Sequence, residues 1–378
     1  MLLTIKVLIV EDSAYQRNLI AEMVSSHEDI QVIDLARNGK EAIEKIEKHN
    51  PDVILLDLIM PEVDGLTVLK FLTEHYPIPT IIFTAINLET LDDSVQALLM
   101  GAFDFIIKPQ GYWEEEFPKL KDKLISSILY AGKIKKTYEK RNYLTKNSMN
   151  EPLNLDLYEE SLESKMIKPT LSKEFLKVSK FKSNLIVIGT STGGPRTLKA
   201  ILKHIPKDFP SPILMVQHLD AFFMKQLSKS LNQICQIEVK IPENGEKIHP
   251  GTAYLSPGGK HMKVVLRKSV PHIKTFVGKP VNFCMPSVDV LFFSAAEVYK
   301  DGTLGVLLTG LGDDGAAGLK AIKSIGGKTV AESEETCVVY GMPKAAVKIG
   351  AAQLIVPNYK IKDYIINFGR KFSKNLNN

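Results

Sequence analysis

Short apolar segments alternate with amphipathic segments through the first third of the chain. Runs of three to five apolar, often β-branched residues are typical of strands that are buried on both faces of a parallel sheet. Five such strands are predicted, at residues 6–10, 32–36, 53–56, 80–83 and 105–107. Five helices are predicted between and after them, at residues 16–24, 39–48, 67–74, 94–101 and 113–130. This alternation predicts a (βα)5 unit, a parallel sheet wrapped by helices.

A second series of strands and helices begins at Leu185. Strands are predicted at 185–188, 212–217, 238–241, 304–309, 329–331 and 353–356, and helices at 196–204, 222–231, 288–299, up to 325, 343–349 and after 356. Residues 261–267 and 272–277 predict a β-hairpin or meander inserted into this series. The second half is therefore expected to be a doubly wound, mainly parallel α/β domain with an antiparallel insertion.

The segment between the two series has a different composition. Residues 131–182 carry 12 Lys and Arg against 7 Asp and Glu, and two prolines interrupt any regular element. The net charge of the whole chain is +5, so this basic segment accounts for the excess. Such runs are usually solvated, and we expect no nucleic-acid partner. The predicted domains are 1–130, a largely flexible linker over 131–182, and 183–370.

The overall composition is that of an ordinary soluble protein. The chain has 378 residues, 44% hydrophobic and 24% charged, and no apolar run approaches the ~20 residues that span a bilayer. The N-terminal segment lacks the layout of a signal peptide, and the three cysteines are scattered. We expect a cytoplasmic protein with reduced thiols and no membrane insertion.

Polar residues follow the strands of the first half at the points where chemistry gathers in such sheets. They are Glu11, Asp12, Asp57, Thr84 and Lys108. Three carboxylates that lie close together need a cation, and oxygen ligands favour Mg²⁺. Asp57 is then a candidate phosphoryl acceptor, with Thr84 and Lys108 contacting the phosphoryl group.

These residues lie in motifs that resemble the response-regulator receiver family, from residue 5 to about 128. The motifs are Val-Glu-Asp-Ser at 10–13, Asp-Leu-Ile-Met-Pro-Glu-Val-Asp-Gly at 57–65, Thr-Ala at 84–85 and Phe-Ile-Ile-Lys-Pro at 105–109. The resemblance implies that Asp57 is phosphorylated by a histidine kinase, and that Glu11, Asp12, Asp57 and the carbonyl of Ile59 hold Mg²⁺. It also implies that Phe105 is the aromatic switch. Glu11 stands where the family usually has Asp, and Phe105 lacks the hydroxyl of the common Tyr.

The second half begins with a strand that stops at a glycine cluster, Gly-Thr-Ser-Thr-Gly-Gly-Pro at 189–195. The order Gly189-x-Ser191-x-Gly193 fits a nucleophile elbow, in which a sharp strand-to-helix turn exposes the serine. A Gly/Ser/Thr-rich turn can equally bind a phosphate. Neither a P-loop nor a Rossmann fingerprint is present. The nucleophile interpretation requires a base and an orienting acid elsewhere in the chain.

His218 supplies a candidate base because it directly follows an apolar strand. Asp314 is the preferred orienting acid, with Asp313 as the alternative, since both follow the strand at 304–309. Ser191, His218 and Asp314 would form a nucleophile, base and acid triad at one sheet edge. Their order along the chain differs from that of ordinary α/β-hydrolases.

Residues 183 to about 358 resemble the chemotaxis protein-glutamate methylesterase family, CheB. The similarity rests on the Ser191 turn, Gln-His at 217–218, Pro-Ser-Val-Asp-Val-Leu-Phe at 286–292, Leu-Thr-Gly-Leu-Gly-Asp-Asp-Gly at 308–315 and Cys-Val-Val-Tyr-Gly-Met-Pro at 337–343. It implies hydrolysis of glutamyl methyl esters on the cytoplasmic helices of chemoreceptors, with possible deamidation of glutamines and no cofactor. Ser191, His218 and Asp314 occupy the triad positions. Asp313 departs from the usual Asn, and Cys284 and Met285 from more basic residues.

The two resemblances together predict a regulated enzyme that gives chemotactic adaptation. We expect a monomer in which the receiver covers the Ser191 cleft until Asp57 is phosphorylated. The backbone amides near Thr192 and Leu311 are the candidate oxyanion donors. The alternatives are a hydrolase for another ester and a scaffold without catalysis. A DNA-binding regulator is disfavoured, since the second half lacks a helix-turn-helix pattern and a basic face.

Overall fold

The computed structural model describes residues 4–76, 78–85, 90–109, 120–135 and 184–370. Within these ranges the predicted alternation of strands and helices is present in both halves. The predicted fold class is confirmed: two parallel sheets, each flanked by helices, and one antiparallel pair of strands.

The first half is a five-stranded parallel sheet. Its strands are β1 Ile5–Val10, β2 Ile30–Ala36, β3 Val53–Leu56, β4 Thr80–Thr84 and β5 Asp104–Ile107, in the order β2-β1-β3-β4-β5. Its helices are α1 Ala14–Ser25, α2 Gly39–His49, α3 Gly65–His75, α4 Leu91–Met100 and α5, residues 120–135. The strand order reverses between β1 and β3, so the carboxyl ends of these two strands border the crevice where ligands bind in such sheets.

The second half is a seven-stranded parallel sheet with a hairpin. The sheet strands are β6 Leu185–Thr190, β7 Ile213–Gln217, β8 Glu238–Lys240, β9 Thr252–Leu255, β12 Thr303–Leu307, β13 Lys328–Glu332 and β14 Leu354–Val356, in the order β14-β13-β12-β6-β7-β9-β8. The hairpin pairs β10 His261–Arg267 with β11 Val270–Phe276. The helices are α6 Gly194–Leu202, α7 Ala221–Ile234, α8 Val288–Tyr299, α9 Ala316–Ser324, α10 Met342–Lys348 and α11 Asn358–Arg370.

The central strand β6 shows why its sequence is a continuous apolar run. Ile186 and Ile188 pack into the apolar cluster that contains residues of α6, α7 and α11. Leu185 and Val187 face the opposite cluster, which contains residues of α8 and α9. Because successive side chains of a strand point to opposite faces, a strand covered on both sides needs apolar residues at every position.

Short polar side chains determine where several helices begin. Ser13, Asn38 and Asp64 each accept a hydrogen bond from the backbone three residues later, which satisfies one of the free N–H groups of the first turn. Ser287 caps α8 in the same way, as predicted, with an Oγ–N distance of 3.5 Å to Val290.

Two sequence predictions fall partly outside the described residues. The helix predicted over 113–130 is described from residue 120 and continues to residue 135. Most of the predicted linker lies within residues 136–183, which are not described, so the three domain ranges stay predictions. Among the described residues, no helix is long and apolar enough to cross a membrane.

The two halves pack against each other through helices and one aromatic pair. Helix α4 contacts both α6 and α7. The ring of Phe105, at the second position of β5, lies 4.6 Å from that of Phe223 in α7 in an edge-on arrangement. Val339 of the second half is fully buried in an apolar cluster whose other buried members belong to the first half, and Val338 packs against that cluster. The receiver-like half therefore lies directly against the helix that follows the Ser191 turn.

Candidate active site and phospho-acceptor site

The predicted phospho-acceptor residues lie together at the carboxyl edge of the first sheet. Asp57 directly follows β3 and is 5% exposed. The hydroxyl of Thr84 donates a hydrogen bond to Asp57 Oδ1 at 2.5 Å. Lys108 Nζ contacts Asp57 Oδ2 and lies 2.5 Å from Glu11 Oε2. Each of these residues lies at or just after the end of a strand, and parallel strands bring their carboxyl ends to one edge of the sheet.

The carboxylates of this edge fit a divalent cation. Oxygen atoms of Glu11, Asp12 and Asp57 lie within 4.8 Å of one another. Burial raises the pKa of Glu11 to about 7; the charge of Lys108 opposes this rise, and the charge of Asp57 adds a smaller rise. A cation in addition to Lys108 would offset the repulsion between these carboxylates, and ligands that are all oxygen atoms suit Mg²⁺. The N–H of Ile59 donates to Asp57 Oδ1 at 3.1 Å, so the predicted carbonyl ligand belongs to the same loop.

The second site is built on the turn between β6 and α6. Ser191 directly follows β6, and its N–H donates to the carbonyl of Thr309 at 3.0 Å. Gly193 has φ +78°, a left-handed conformation that favours glycine. A Cβ on Gly194 would lie 2.0 Å from Gln217 Oε1, so the helix starts closer to β7 than a larger residue allows. The strand, sharp turn and helix predicted for a nucleophile elbow are present.

His218 and Asp314 come together beside this turn. His218 directly follows β7, and its N–H donates to the carbonyl of Thr190 at 3.0 Å. Its Nε2 lies 2.8 Å from Asp314 Oδ2. Asp314 is 2% exposed, whereas the alternative acid Asp313 is exposed to solvent. The geometry therefore selects Asp314 as the partner of the imidazole.

Asp314 is held by a set of donors that the sequence did not identify. Its Oδ1 accepts from Ser287 Oγ at 2.8 Å and from Asn282 Nδ2 at 2.9 Å, and its Oδ2 accepts from the N–H of Val288 at 2.7 Å. Burial alone would raise the pKa of Asp314, but the hydrogen bond with His218 and the others lower it overall. The Pro-Ser-Val-Asp segment was visible in the sequence, yet only the capping role of Ser287 could be predicted from it.

The two nitrogens of the His218 ring have different partners. Nδ1 lies 3.7 Å from the Sγ atom of Cys284. Burial lowers the pKa of His218, but hydrogen bonds with Asp314 and Cys284 outweigh it and raise that pKa to about 9. Among the described residues, none forms a hydrogen bond with the Ser191 hydroxyl. The nitrogen that a nucleophilic serine would use therefore faces a thiol in this structure.

The candidate oxyanion donors flank Ser191. A Cβ on Gly310 would lie 2.7 Å from Ser191 Cβ, so the chain at Leu311 passes close to the serine. The carbonyl of Thr192 accepts a hydrogen bond from Thr309 Oγ1 at 2.9 Å, which links the Ser191 turn to the segment that follows β12. Within the described ranges the N–H groups of Thr192 and Leu311 have no hydrogen-bond partner. Two free donors beside a serine can stabilise a developing negative charge.

The chain is similar to known proteins along nearly its whole length. Residues 186–365 match the CheB methylesterase family, and residues 7–114 match the response regulator receiver domain. A relative from Archaeoglobus fulgidus is 40% identical over 96% of this chain and 97% of its own length. One from Methanococcoides burtonii is 39% identical over 96% and 97%. Both are named protein-glutamate methylesterase/protein-glutamine glutaminase. The crystal structure of the Thermotoga maritima CheB methylesterase catalytic domain is 40% identical, with a TM-score of 0.48, and covers 49% of this chain and 98% of that one.

Proposed function

This chain belongs to the CheB methylesterase family and carries a receiver domain, and from this premise we propose that it is a phosphorylation-activated protein-glutamate methylesterase of chemotactic adaptation. Its substrates would be the glutamyl methyl esters on the cytoplasmic helices of chemoreceptors. The observation that carries the proposal is the 2.8 Å contact of His218 with the buried Asp314, directly beside the Ser191 turn.

In the proposed mechanism Ser191 Oγ attacks the ester carbonyl while His218 Nδ1 accepts its proton. For this step the Cys284 thiol must give up its contact with Nδ1. The hydrogen bond with Asp314 raises the pKa of His218 and so favours the imidazolium that forms. The negative charge on the carbonyl oxygen would be stabilised by the N–H groups of Thr192 and Leu311.

The acyl-enzyme then forms as the tetrahedral intermediate collapses. The imidazolium returns the proton to the methoxide oxygen, and methanol leaves. Water, deprotonated by His218, attacks the acyl-enzyme and releases the glutamate carboxylate and Ser191. A glutamine side chain would follow the same path with ammonia as the leaving group, which gives the deamidase activity named for the relatives.

The receiver would control this site through the contact of α4 with α6 and α7. A histidine kinase would transfer a phosphoryl group to the Asp57 carboxylate, and the acyl phosphate would carry about two negative charges where the carboxylate carried one. Thr84 and Lys108 contact Asp57 now, so both would change partners. Phe105 lies in β5, and Lys108 directly follows that strand. Glu11, Asp12, Asp57 and the Ile59 carbonyl would hold Mg²⁺, which supplies positive charge to the phosphoryl oxygens when bound.

We place the reaction in the cytoplasm, with a monomeric enzyme and no cofactor in the esterase step. A hydrolase for another ester would use the same geometry. Release of methanol from methylated receptor helices distinguishes a protein-glutamate methylesterase from such a hydrolase. A scaffold without catalysis is disfavoured by the paired His218 and Asp314 and by the free amides beside Ser191.

Replacing Ser191 tests the nucleophile. Ser191→Ala should lower methanol release from methylated receptor membranes by about 10³-fold or more, because the loss of a triad member ordinarily costs several orders of magnitude. Ser324→Ala, which changes an exposed serine on α9, is the control and should keep wild-type activity. Because Cys284 also contacts His218, the double variant Ser191→Ala/Cys284→Ala should be no slower than Ser191→Ala. More than about a tenth of wild-type activity in Ser191→Ala would exclude this serine.

Replacing Asp57 tests the regulation. With Mg²⁺ and a small phosphodonor, wild-type protein should gain esterase activity, whereas Asp57→Ala should keep only the basal rate. A mostly closed population becomes mostly open when phosphorylation stabilises the open state over the closed state by about 2–5 kcal/mol. A few charge-assisted hydrogen bonds to the phosphoryl group supply that free energy. Asp122→Ala, on the exposed face of α5, should respond like wild type. Equal activation of Asp57→Ala would contradict the regulation and leave the esterase assignment standing.

A further inference from the structure

The contact between Cys284 and His218 must be broken before the proposed esterase reaction can begin. The thiol lies 3.7 Å from Nδ1, the nitrogen that must accept the Ser191 proton. We propose that Cys284 Sγ and His218 Nδ1 form an inhibitory binding site for Zn²⁺. An ion bound there occupies Nδ1 and stops the esterase. The inhibition rests on the proposed role of His218, whereas the binding of the ion does not.

The separation of the two atoms suits a tetrahedral zinc ion. Zn–S and Zn–N bonds are about 2.3 Å and 2.0–2.1 Å, which places sulfur and nitrogen about 3.5 Å apart at the tetrahedral angle. The observed 3.7 Å therefore allows both atoms to bind one ion after a small movement. Cys284 is half-buried, so water or a substrate oxygen can take the remaining two positions.

The far side of the imidazole is arranged as it is in histidines that bind metals. Asp314 Oδ2 accepts the proton of Nε2 at 2.8 Å, so a metal ion can bind the ring only at Nδ1, where it displaces any proton that this nitrogen carries. A carboxylate behind a ligating histidine fixes the ring and raises its basicity as a ligand. Here Asp314 is a positioning residue, since it lies on the opposite nitrogen from Cys284.

A tight turn holds the thiol in place. Cys284 and Val281 exchange two backbone hydrogen bonds of 2.9 and 3.0 Å, with Asn282 and Phe283 at φ +51° and +61° between them. Asn282 Nδ2 donates to Asp314 Oδ1 at 2.9 Å and to Asp289 Oδ2 at 2.8 Å. The turn that carries Cys284 is thus tied to the carboxylate that orients His218, so both ligands are positioned before the ion arrives.

The protein then offers two cation sites of opposite chemistry. The cluster at Glu11, Asp12 and Asp57 has only oxygen ligands, whereas the group at His218, Cys284 and Asp314 also offers nitrogen and sulfur. Mg²⁺ favours the first and Zn²⁺ the second. Binding of Zn²⁺ requires the thiolate, so one proton leaves Cys284 as the Zn–S bond forms.

The test uses full-length protein in excess Mg²⁺, which keeps the carboxylate cluster occupied. Co²⁺ replaces Zn²⁺ as a spectroscopic probe, because a cobalt–thiolate bond gives a near-ultraviolet charge-transfer band. Wild type should show this band at one equivalent, and Zn²⁺ should abolish it by competition. Zn²⁺ should also lower the esterase rate in proportion to occupancy, and a chelator should restore it.

Variants of two cysteines separate the site from other zinc effects. Cys284→Ser should lose the charge-transfer band and bind Zn²⁺ at least tenfold more weakly, with inhibition measured against the metal-free rate of each variant. Cys235→Ser, at the end of α7, should behave like wild type. A wild-type protein without the band, or Cys284→Ser with unchanged affinity, would overturn the site. A Cys284-dependent band without inhibition would overturn the inhibitory role, and with it the assignment of Nδ1 as the base. The charge-transfer band can be measured even if the protein has no esterase activity. Failure of the zinc site and failure of the proposed esterase function can therefore be told apart.

Discussion

Two carboxylates, Asp314 and Asp289, accept hydrogen bonds from the same Asn282 amide, and their pKa values shift in opposite directions. That of Asp314 is lowered because its hydrogen bonds, with His218 first among them, outweigh the effect of burial. That of Asp289 is raised to about 7 by burial and by the charge of Asp314, although Gly318 and Asn282 donate hydrogen bonds to it. Asp314 therefore carries the negative charge that His218 needs, whereas Asp289 is only partly ionised near neutral pH.

The raised pKa of Asp289 predicts a pH-dependent stability. The folded state binds a proton that the unfolded state has lost between about pH 4 and 7, so the free energy of unfolding falls as pH rises through this range. A shift of this size corresponds to at most about 4 kcal/mol. Asp289→Asn should flatten that fall, measured by denaturant unfolding at pH 5 and pH 8. Asp363→Asn, an exposed carboxylate on α11, should keep the wild-type dependence. Identical slopes in Asp289→Asn and wild type would contradict the assignment.

The sequence predicted the residues at this scale only where they end strands. Ser191 follows β6, His218 follows β7, and Asp314 lies in the loop between β12 and α9. The parallel sheet brings the carboxyl ends of these three strands together. Asn282 and Cys284 come from the loop after the hairpin, about thirty residues before Asp314 in the chain. The pattern of apolar and polar residues does not predict where such a loop lies relative to the sheet. The contacts of Asn282 with Asp314 and of Cys284 with His218 could therefore be found only in the folded structure.

At the scale of elements, the turn between β6 and α6 aligns the site. Gln217, the last residue of β7, donates from Nε2 to the carbonyls of Ser191 and His218 at 2.8 and 3.0 Å. One amide thus links the two catalytic strands. The sequence predicted β6 to end at Ile188, because Gly189 and Thr190 are not apolar. Both continue the ladder, since Gly189 pairs with Leu307 and Thr190 with Gln217.

Gly194→Ala tests this alignment. The added Cβ would lie 2.0 Å from Gln217 Oε1 and 2.5 Å from Thr190 Oγ1, so the Gln217 side chain must move. Esterase activity should fall about 10²-fold, as expected for a displacement of about 1 Å at a reacting group. The melting temperature should fall only modestly, because overpacking costs about 1–3 kcal/mol. Gly278→Ala, where the nearest atoms are 3.2 Å away, is the matched control. Wild-type activity in Gly194→Ala would show that Gln217 does not hold the site.

At the scale of the whole molecule, the contact between the halves is apolar and buried. Phe105 is 6% exposed, and its ring meets that of Phe223 in α7. The sequence predicted that the receiver covers the esterase, but not which surfaces meet. Phe105 was predicted only as a switch within the receiver, because nothing in a single apolar position reveals its partner in another domain.

Weakening this contact should release the esterase. An aromatic pair contributes about 0.5–1.5 kcal/mol beyond its buried area, so Phe105→Ala should raise the basal rate about two- to tenfold without phosphodonor. The fragment that starts near residue 184 should exceed both, since the receiver is absent. Phe71→Ala, on α3, removes a ring that contacts His75 and Tyr76 and should leave the basal rate unchanged. A folded fragment no more active than the whole protein would mean that the receiver does not act as an inhibitor.

The order of the strands in the second sheet also has a consequence for synthesis on the ribosome. Helix α5 contributes buried residues to the apolar cluster on one face of the receiver sheet, so the receiver can fold once this helix has emerged. The central strand β6 gains β7 soon after it emerges, but its other neighbour, β12, ends at Leu307. During the interval the nascent chain presents an apolar strand with an open edge, which favours pairing with other chains. Slow codons between residues 220 and 303 should therefore lower the yield of soluble protein more than slow codons between residues 136 and 183, where this sheet has not yet begun.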